Sequence, residues 1–572
     1  MFKYKSRNIP LGFGDGILKS ILKNRGVEDV DLFLNLNESV VESYEVFDNM
    51  LYAKSVFLKN MDEEIVILQD FDADGMTSSS LLYSYLKRIK PNIKLKYLSH
   101  ENKAHGLTPQ IMEKLTVIDY SLIFVPDAGS SDFDEHRIIN ELGKDVIILD
   151  HHECDKYSEH AIVVNNQLSK RTTNKSLTGV GMVYKFCKML DEHFGVNYAD
   201  DYLDIFALGM IADVSDLKNC ESRYLVLKGL EQIQNGTNKN EFIKKLYKNK
   251  TYSMNNKVSI SNVAFYMCPA VNAIIRGGTM EEKDLLFRAF CGDDSEVEYK
   301  KESLPLSDVV VKLYGSLKIK QDKIVEDSVK ILSNQIEEYE LNKCEIMIVN
   351  GSEIEDSTYN RIIVNKLADK YKRHCMLLRE KDGGKYLGSA TGIKNKELSD
   401  LRQWCKDTNL FELAEGHALA HGVIIHKKNI DKLYEIIYQI ETSDELLYDV
   451  DMILNEKILT QNLVFSVAQL SEVWGNGIEE PMFALEDIKL ATKDIQLIGA
   501  NKNTLKFKFK DVDFIKFKVD ETTMNELYSL DYIKLTIIGK FKINSFGSKV
   551  SPQIQVEDFM FEECEKVNGF RF

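Results

Sequence analysis

Aspartates cluster in the segment DFDADG, where Asp70, Asp72 and Asp74 alternate with other residues and precede Gly75. Neighbouring carboxylates repel one another, so the cluster needs a cation or full solvation to remain ionised. The order D-x-D-x-D-G also opens the calcium loop of EF-hands. Position 12 of such a loop would be Leu81, which has no carboxylate, and the segment before the cluster is a strand pattern rather than a helix. The calcium loop is therefore rejected, and a catalytic metal site or a solvated turn remains.

Other acidic and histidine residues follow further apolar runs. The run LIFVP precedes Asp127, and VIILD ends in Asp150, which His151 and His152 follow. A third run, IKLKYLS, precedes His100, which is a weaker signal. Such runs alternate with helical patterns, which predicts a parallel sheet covered by helices on both faces. Ligands of open α/β sheets bind beyond the carboxyl ends of the strands, so we expect these side chains to gather at one edge.

A further aspartate, Asp213, lies in the apolar segment FALGMIADVSDL. A charge in buried surroundings is costly unless it is paired or binds a metal; a helix cap or a buried salt bridge is the alternative. Mixed carboxylate and imidazole ligands suit Mn²⁺ or Mg²⁺. Several carboxylates around one point favour two ions about 3.5–4 Å apart, which activate water for attack at phosphorus. The residues thus predict hydrolysis of a phosphoester or phosphoanhydride.

The composition indicates a globular protein of several domains. The chain has 572 residues, of which 44% are hydrophobic and 28% charged, so two to four domains are expected. We identify no secretory signal and no apolar run of the roughly 18 residues that cross a bilayer. Nine scattered cysteines favour a reducing compartment, so we predict a cytoplasmic protein without a membrane partner. The net charge of −16 argues against a general polyanion-binding surface, although a local basic groove or bound metals can accommodate nucleic acid.

The pattern along the chain predicts an α/β protein in several parts. Residues 1–285 contain the alternating strands and helices, with a helical segment at the start. Residues 286–340 are charged and helix-forming, which predicts a connecting helix, and residues 341–448 form a second α/β unit. Residues 449–572 include TLKFKFKDVDFIKFKV, whose alternation predicts half-buried strands of a small barrel or sandwich.

Four segments in order, DFDADG, VPDAG, LDHHE and ALGMIADVSDL, resemble the four motifs of the DHH phosphoesterase superfamily. Within it, the chain most resembles the RecJ family of single-strand-specific 5′→3′ DNA exonucleases. Three more segments carry this likeness over nearly the whole length: CPAVNAIIRGG, EGHALAHG and WGNGIEEPMFAL. The resemblance implies a DHH domain and a DHHA1 domain facing each other across a cleft, a long helix joining them, and a C-terminal β-barrel OB-fold.

The same resemblance implies roles for individual residues around two ions, Mn²⁺ or Mg²⁺. The implied metal ligands are Asp72, Asp74, Asp127, His151 and Asp213. Asp70 would orient the ligands or the attacking water, and Asp150 would fix the tautomer of His151. His152 would contact the scissile phosphate or transfer a proton.

Substrate contacts are implied as well. Arg276 would hold a phosphate, and His417 and Ser389 would contact substrate from the DHHA1 domain. Several positions depart from the family pattern: Glu415 replaces a glycine, His421 replaces a small residue, and Thr391 stands where an arginine is expected. The stretch TYNRIIVNKLADKY, residues 358–371, also diverges. These differences concern the grip on DNA rather than the chemistry.

The implied activity is release of 5′-mononucleotides from single-stranded DNA, in DNA repair and recombination, by a monomer with a helicase or single-strand-binding protein as candidate partner. One alternative is a DHH phosphodiesterase for short oligonucleotides or cyclic dinucleotides, against which the OB-fold segments argue. A second is a non-catalytic replication or repair scaffold, against which the complete ligand set argues. The glycines Gly179 and Gly181 in TGVGMVYKF are interpreted as sites of close helix packing rather than as a nucleotide loop.

Overall fold

The computed structural model describes residues 2–7, 15–101, 104–354, 356–381, 383–499, 502–546 and 549–565. The chain divides into two compact units. The N-terminal unit comprises Leu22–Lys318 and Glu472–Glu480. The C-terminal unit comprises Met1–Ile21, Ile319–Ser471 and Pro481–Phe572.

The strands and helices are numbered in chain order over these described residues. Strands β1 to β21 are Phe2–Ser6, Glu64–Gln69, Lys94–Ser99, Leu122–Pro126, Asp145–Asp150, Ile162–Asn165, Glu296–Tyr299, Glu302–Pro305, Ile346–Asn350, His374–Lys381, Lys385–Thr391, Phe411–His417, Ala420–His426, Leu446–Val450, Met452–Asn455, Phe483–Ala491, Gln496–Ile498, Thr504–Phe509, Val512–Lys516, Tyr532–Phe546 and Lys549–Glu563. Helices α1 to α19 are Asp15–Asn24, Val30–Leu34, Met50–Asn60, Ala73–Ile89, Pro109–Thr116, Phe133–Glu141, Gly179–Phe194, Leu203–Ala212, Cys220–Asn235, Glu241–Lys250, Ile260–Asn262, Cys268–Gly277, Met280–Phe290, Leu306–Glu338, Asn360–Tyr371, Leu401–Asp407, Ile430–Ile437, Gln461–Ala468 and Glu521–Tyr528.

The N-terminal unit is built on a five-stranded sheet in the order β3-β2-β4-β5-β6, in which every pairing is parallel. Strands β2, β4, β5 and β6 are buried on both faces, as expected where helices cover both, whereas the edge strand β3 is only partly buried. Ile67 and Phe124 pack on one face with helices α4, α7 and α8. Val66 and Ile123, one residue earlier, pack on the other face with α5 and α6. This alternation confirms the predicted doubly covered parallel sheet, to which the structure adds β6.

The C-terminal unit contains two larger sheets. The first, in the order β12-β13-β11-β10-β9, packs α14 and α15 on one face and α16 and α17 on the other. The second has the order β15-β16-β20-β21-β19-β18-β17 and is mixed, since β15 and β16 pair parallel whereas β20 and β21 pair antiparallel. In addition, β1 pairs parallel with β14, from Phe2 opposite Leu446 to Ser6 opposite Val450.

The connecting helix is shorter than the predicted range 286–340. Helix α14 begins at Leu306, and a hairpin of β7 and β8 precedes it. Gly292, at a φ of +81°, ends the preceding helical turn, and the alternating residues of EVEY favour a strand. The domain limits at 285, 340 and 448 stay predictions. Among the described residues, helices with the length and apolarity needed to cross a bilayer are lacking.

Candidate metal centre

The carboxyl ends of β2, β4 and β5, which are adjacent in the sheet, carry the acidic residues. Asp70 follows β2, Asp127 follows β4, and Asp150 is the last residue of β5. Asp127 has a φ of +63°, and its backbone N–H donates to the carbonyl oxygen of Leu149 at 2.8 Å. This left-handed turn is uncommon for a residue other than glycine. Asp127 is therefore held by the neighbouring strand in a conformation that ends β4 abruptly.

Two helix N-termini meet at this edge. Asp72 caps α4 by accepting from the backbone N–H of Gly75 at 2.9 Å. Asp74, in the first turn, accepts from the backbone N–H of Gly179 at 2.6 Å and of Val180 at 3.1 Å. These donors belong to the first turn of α7, whose dipole favours an anion there. The carboxylate of Asp74 thus joins α4 to α7.

Two glycines permit this approach. A Cβ atom on Gly75 would lie 2.6 Å from the Cβ of Asp70, and one on Gly179 would lie 2.3 Å from the Cβ of Asp127. Real Cβ contacts are not this short, so any larger residue would displace the acidic side chains. Close packing is therefore the role of Gly179, with the added effect that its amide reaches Asp74.

His151 lies at the centre of the acidic residues. Its Nε2 is 3.1 Å from Oδ1 of Asp127, 3.7 Å from Oδ2 of Asp213 and 3.8 Å from Oδ2 of Asp74. Asp213 reaches this point from the C-terminal end of α8. Two overlapping groups of possible metal ligands result, both containing His151: Asp127, Asp150, His151 and His152, and Asp74, His151 and Asp213.

Burial and neighbouring like charges shift the pKa values of these residues. Burial, and next the neighbouring Asp74, raise the pKa of Asp127 well above its usual range. The same two causes raise the pKa of Asp213 to about 8. Burial also raises the pKa of Asp74, with His151 opposing it. Because a divalent cation would relieve this repulsion, the electrostatics favour a bound metal.

The donor set fits Mn²⁺ or Mg²⁺. Oδ1 of Asp127 is buried and makes no hydrogen bond within the described residues, although Nε2 of His151 lies nearby. A buried carboxylate oxygen without a partner is costly, and a cation satisfies it. Oxygen and imidazole donors without thiolates suit these hard or intermediate cations. The residues that would hold them are Asp74, Asp127, His151 and Asp213.

Asp150 contacts a different histidine ring from the one expected. Its Oδ1 accepts from Nδ1 of His152 at 2.8 Å, whereas it reaches His151 only at the backbone N–H, at 2.7 Å. Oδ2 accepts from the backbone N–H of Ser130 at 3.1 Å. Burial opposes ionisation of Asp150, yet the hydrogen bond from His152 and its charge bring the net pKa below the usual range. The chain turn after β5 thus directs the ring of His152 back onto Asp150. The fixing of the His151 tautomer by Asp150 stays a prediction.

Asp70 has a partner that the sequence did not reveal. Its Oδ2 lies 2.5 Å from Nδ1 of His105, and its Oδ1 lies 3.8 Å from Nε2 of His100. Burial raises the pKa of Asp70, with His105 opposing it, and the hydrogen bond to Asp70 raises the pKa of His105. Both histidines lie in the loop after β3, and their position behind a strand is the sequence signal for this contact. The role of Asp70 in orienting the ligands or the attacking water stays a prediction.

Of the remaining predicted residues, Asp72 and Arg276 belong to the N-terminal unit, whereas Ser389 and His417 belong to the C-terminal unit. Asp72 belongs to neither of the two ligand groups. It acts on Arg276: burial lowers the pKa of Arg276, and the negative charge of Asp72 opposes that change. Ser389 lies in β11 and His417 ends β12, so both belong to the C-terminal unit.

Comparison with known proteins decides the family. Residues 64–210 match the model of the DHH family, N-terminal domain, and residues 450–558 match the RecJ OB domain. YorK, from the SPbeta prophage of Bacillus subtilis (strain 168), is named for a predicted single-strand DNA-specific exonuclease activity. It is 36% identical over 555 residues, covering 94% of this chain and 95% of YorK. The chain belongs to the RecJ family.

Two RecJ proteins that match the chain at lower identity extend the comparison. The single-stranded-DNA-specific exonuclease RecJ of Bacillus subtilis (strain 168) is 24% identical, with 96% of this chain and 68% of that protein covered. The crystal structure of RecJ from Thermus thermophilus in complex with Mn²⁺ covers 98% of this chain and 80% of that one. It superposes with a TM-score of 0.74 at 18% identity, which shows a shared RecJ fold.

Proposed function

We propose that this RecJ-family protein is a metal-dependent exonuclease that degrades single-stranded DNA from the 5′ end and releases 5′-mononucleotides. The observation that carries the proposal is the convergence of the Asp74, Asp127 and Asp213 carboxylates on Nε2 of His151 at one sheet edge. Several carboxylates around one point suit two cations that flank the reacting phosphate. The named activity of YorK and RecJ supports single-stranded DNA as the substrate.

Bound Mn²⁺ or Mg²⁺ supplies Lewis acidity, which activates water and stabilises negative charge on the phosphoryl group. The protein's part is to hold the ligands in fixed positions. Asp74 is fixed by the α7 amides, and Asp127 by its hydrogen bond to Leu149. The dense acidic cluster would repel a DNA phosphate without cations, so binding of substrate depends on them.

Two basic side chains near the centre suit a phosphate. The hydrogen bond to Asp150 raises the pKa of His152 to about 9, so this ring is protonated at neutral pH and its Nε2–H is a donor. Its side chain is 55% exposed and so accessible to substrate. We assign His152 to the scissile phosphate or the leaving oxygen, and Arg276 to a neighbouring phosphate, which its planar fork suits.

The C-terminal unit is assigned to substrate binding. His417 is exposed, and Ser389 is half-buried in β11 opposite Gly422. We assign both to contacts with DNA phosphates. A role in DNA repair and recombination, a helicase or single-strand-binding partner, a monomeric state and a cytoplasmic location stay predictions from the resemblance.

The test compares an Asp74→Asn variant with the wild-type protein on 5′- or 3′-labelled single strands of several lengths and on blunt duplex, with Mn²⁺ or EDTA. Asp204→Asn is a matched control, since Asp204 is also buried in the N-terminal unit but contacts Asn238 instead of the cluster. We expect the wild-type protein to release mononucleotides from the 5′ end of single strands, and we expect EDTA to abolish this activity. Asp74→Asn should reduce the rate by more than the roughly 10–100-fold that loss of an outer metal partner causes.

The outcomes separate the alternatives. Full activity of Asp74→Asn would reject the metal centre. Cleavage confined to dimers and trimers, or to cyclic dinucleotides, would favour the short-substrate phosphodiesterase. Strand binding without hydrolysis in any metal would favour the scaffold, and equal degradation of duplex would reject single-strand specificity.

A further inference from the structure

The segment Glu472–Glu480 belongs to the N-terminal unit, although the residues on either side of it belong to the C-terminal unit. It also lies inside the range that matches the RecJ OB domain. Gly475 and Ile478 exchange two backbone hydrogen bonds of 2.8 and 3.0 Å, which closes a tight turn. Asn476 and Gly477 form its tip, and Gly477 has a φ of +76°, a left-handed value that favours glycine at the second central position of a turn. We call Glu472–Glu480 the inserted turn.

The base of the inserted turn is anchored in the N-terminal unit. Arg223 is buried, and its Nη2 donates to the carbonyl oxygens of Val473 at 2.9 Å and Glu472 at 3.3 Å. The hydroxyl of Ser261 donates to the carbonyl oxygen of Trp474 at 3.3 Å, and the Trp474 side chain is buried. These contacts fix the entry of the turn independently of its tip.

The tip contacts the backbone on both sides of Asp213. Nδ2 of Asn476 donates to the carbonyl oxygen of Ile211 at 3.0 Å. The carbonyl oxygen of Asn476 accepts from the backbone N–H of Leu217 at 3.2 Å. A Cβ atom on Gly477 would lie only 1.9 Å from Oδ1 of Asp216, so the approach requires glycine. Asn476 thus makes hydrogen bonds to the backbone on both sides of Asp213, the candidate metal ligand.

The loop that carries Asp213 needs such support. Val214, the next residue, has a φ of +59°, which is strongly disfavoured for a β-branched side chain, and it is 62% exposed. Such a conformation persists only where surrounding contacts impose it. The carboxylate of Asp213 ends 3.7 Å from His151, so release of the strain would move it relative to the other ligands.

We propose that Asn476 is a positioning residue for Asp213, and that the inserted turn thereby completes the metal centre of the N-terminal unit. The inference rests on the proposed metal centre. The amide of Asn476 orients the carbonyl of Ile211 at the end of α8 and so fixes where the carboxylate of Asp213 points. Residues from within the OB-matching range are therefore part of the support of the catalytic site.

The test measures Mn²⁺ binding to the full-length protein by isothermal titration calorimetry, with the melting temperature recorded for each variant. Asn476→Ala removes the side-chain amide but keeps the backbone contact with Leu217, and Asn476→Asp keeps the shape but removes the donor. Asn262→Ala is the matched control, because Nδ2 of Asn262 donates to the carbonyl oxygens of Met254 at 3.1 Å and Lys257 at 2.8 Å, away from Asp213. We expect both Asn476 variants to bind Mn²⁺ about 10–100-fold more weakly, the range for lost outer metal partners. Asn262→Ala should keep the wild-type affinity.

Each outcome decides one question. Weaker Mn²⁺ binding by the Asn476 variants, at melting temperatures no lower than that of Asn262→Ala, supports the positioning role. Equal affinities in the wild-type protein and the Asn476 variants overturn it, as does an equal loss in Asn262→Ala. A wild-type protein that binds no Mn²⁺ would instead reject the proposed metal centre itself.

Discussion

Replacing Gly179 by alanine tests how closely helix α7 must approach the acidic cluster. The added Cβ atom would lie 2.3 Å from the Cβ of Asp127 and 2.4 Å from its Oδ1. Carbon atoms in contact are ordinarily about 3.5–4.0 Å apart, so the helix and Asp127 must separate by roughly 1 Å. The change is small in volume but acts directly between two candidate metal ligands.

The size of the effect follows from the contacts that this separation breaks. The hydrogen bond from the Gly179 N–H to Asp74 is 2.6 Å long, and a shift of about 1 Å takes it beyond hydrogen-bonding distance. A misplacement of that size at a reacting centre lowers rates by about 100-fold. Overpacking of a well-packed site costs about 1–3 kcal/mol of stability. We therefore expect a kcat about 100-fold lower in a protein that still folds.

The assay compares kcat on a short 5′-labelled single strand with Mn²⁺, together with chemical denaturation of each variant. Gly315→Ala is the control, because a Cβ atom on Gly315 meets nothing within 4 Å in helix α14. Alanine in an open helical position stabilises by about 0.5–1 kcal/mol, so this variant should keep full activity. A Gly179→Ala protein with a kcat within threefold of wild type would refute the reasoning, as would a crystal structure in which the bond to Asp74 is unchanged.

Two further predictions concern ion pairs of the N-terminal unit. Nζ of Lys185 forms an ion pair with Glu221, and both side chains are only 2% exposed. Lys185→Met leaves a buried charge without its partner, so it should lower the free energy of unfolding, measured by denaturation, by about 3–5 kcal/mol. Adding Glu221→Gln should recover part of that loss, and no recovery would contradict the pairing. Asp150→Asn removes the negative charge of the carboxylate whose hydrogen bond and attraction raise the pKa of His152 to about 9, so the pKa of that ring, followed by NMR, should fall towards the ordinary 6.5. Protonated His152 adds its full contribution to the free energy of unfolding below pH 6.5, and this contribution is lost as the pH rises through about 9. The difference in stability between wild type and Asp150→Asn should therefore shrink between these pH values. A difference that does not change with pH would contradict the prediction.

The sequence by itself determined the parallel sheet of the N-terminal unit and which residues crowd its edge. Strand and helix periodicity are local properties, and parallel strands necessarily end at one edge, so Asp70, Asp127 and Asp150 could be placed together from their positions after apolar runs. The weak strand VVN and the hairpin before α14 escaped prediction, because short segments carry little periodicity.

Tertiary structure alone decided the partners of these residues. Asp150 binds the ring of His152 rather than that of His151, because side-chain direction depends on the turn that follows β5. The amide of Gly179 reaches Asp74 over 105 positions, and Asn476 reaches Ile211 over 265. Contacts this distant in the chain depend on how whole helices pack, and local residue patterns do not encode that packing.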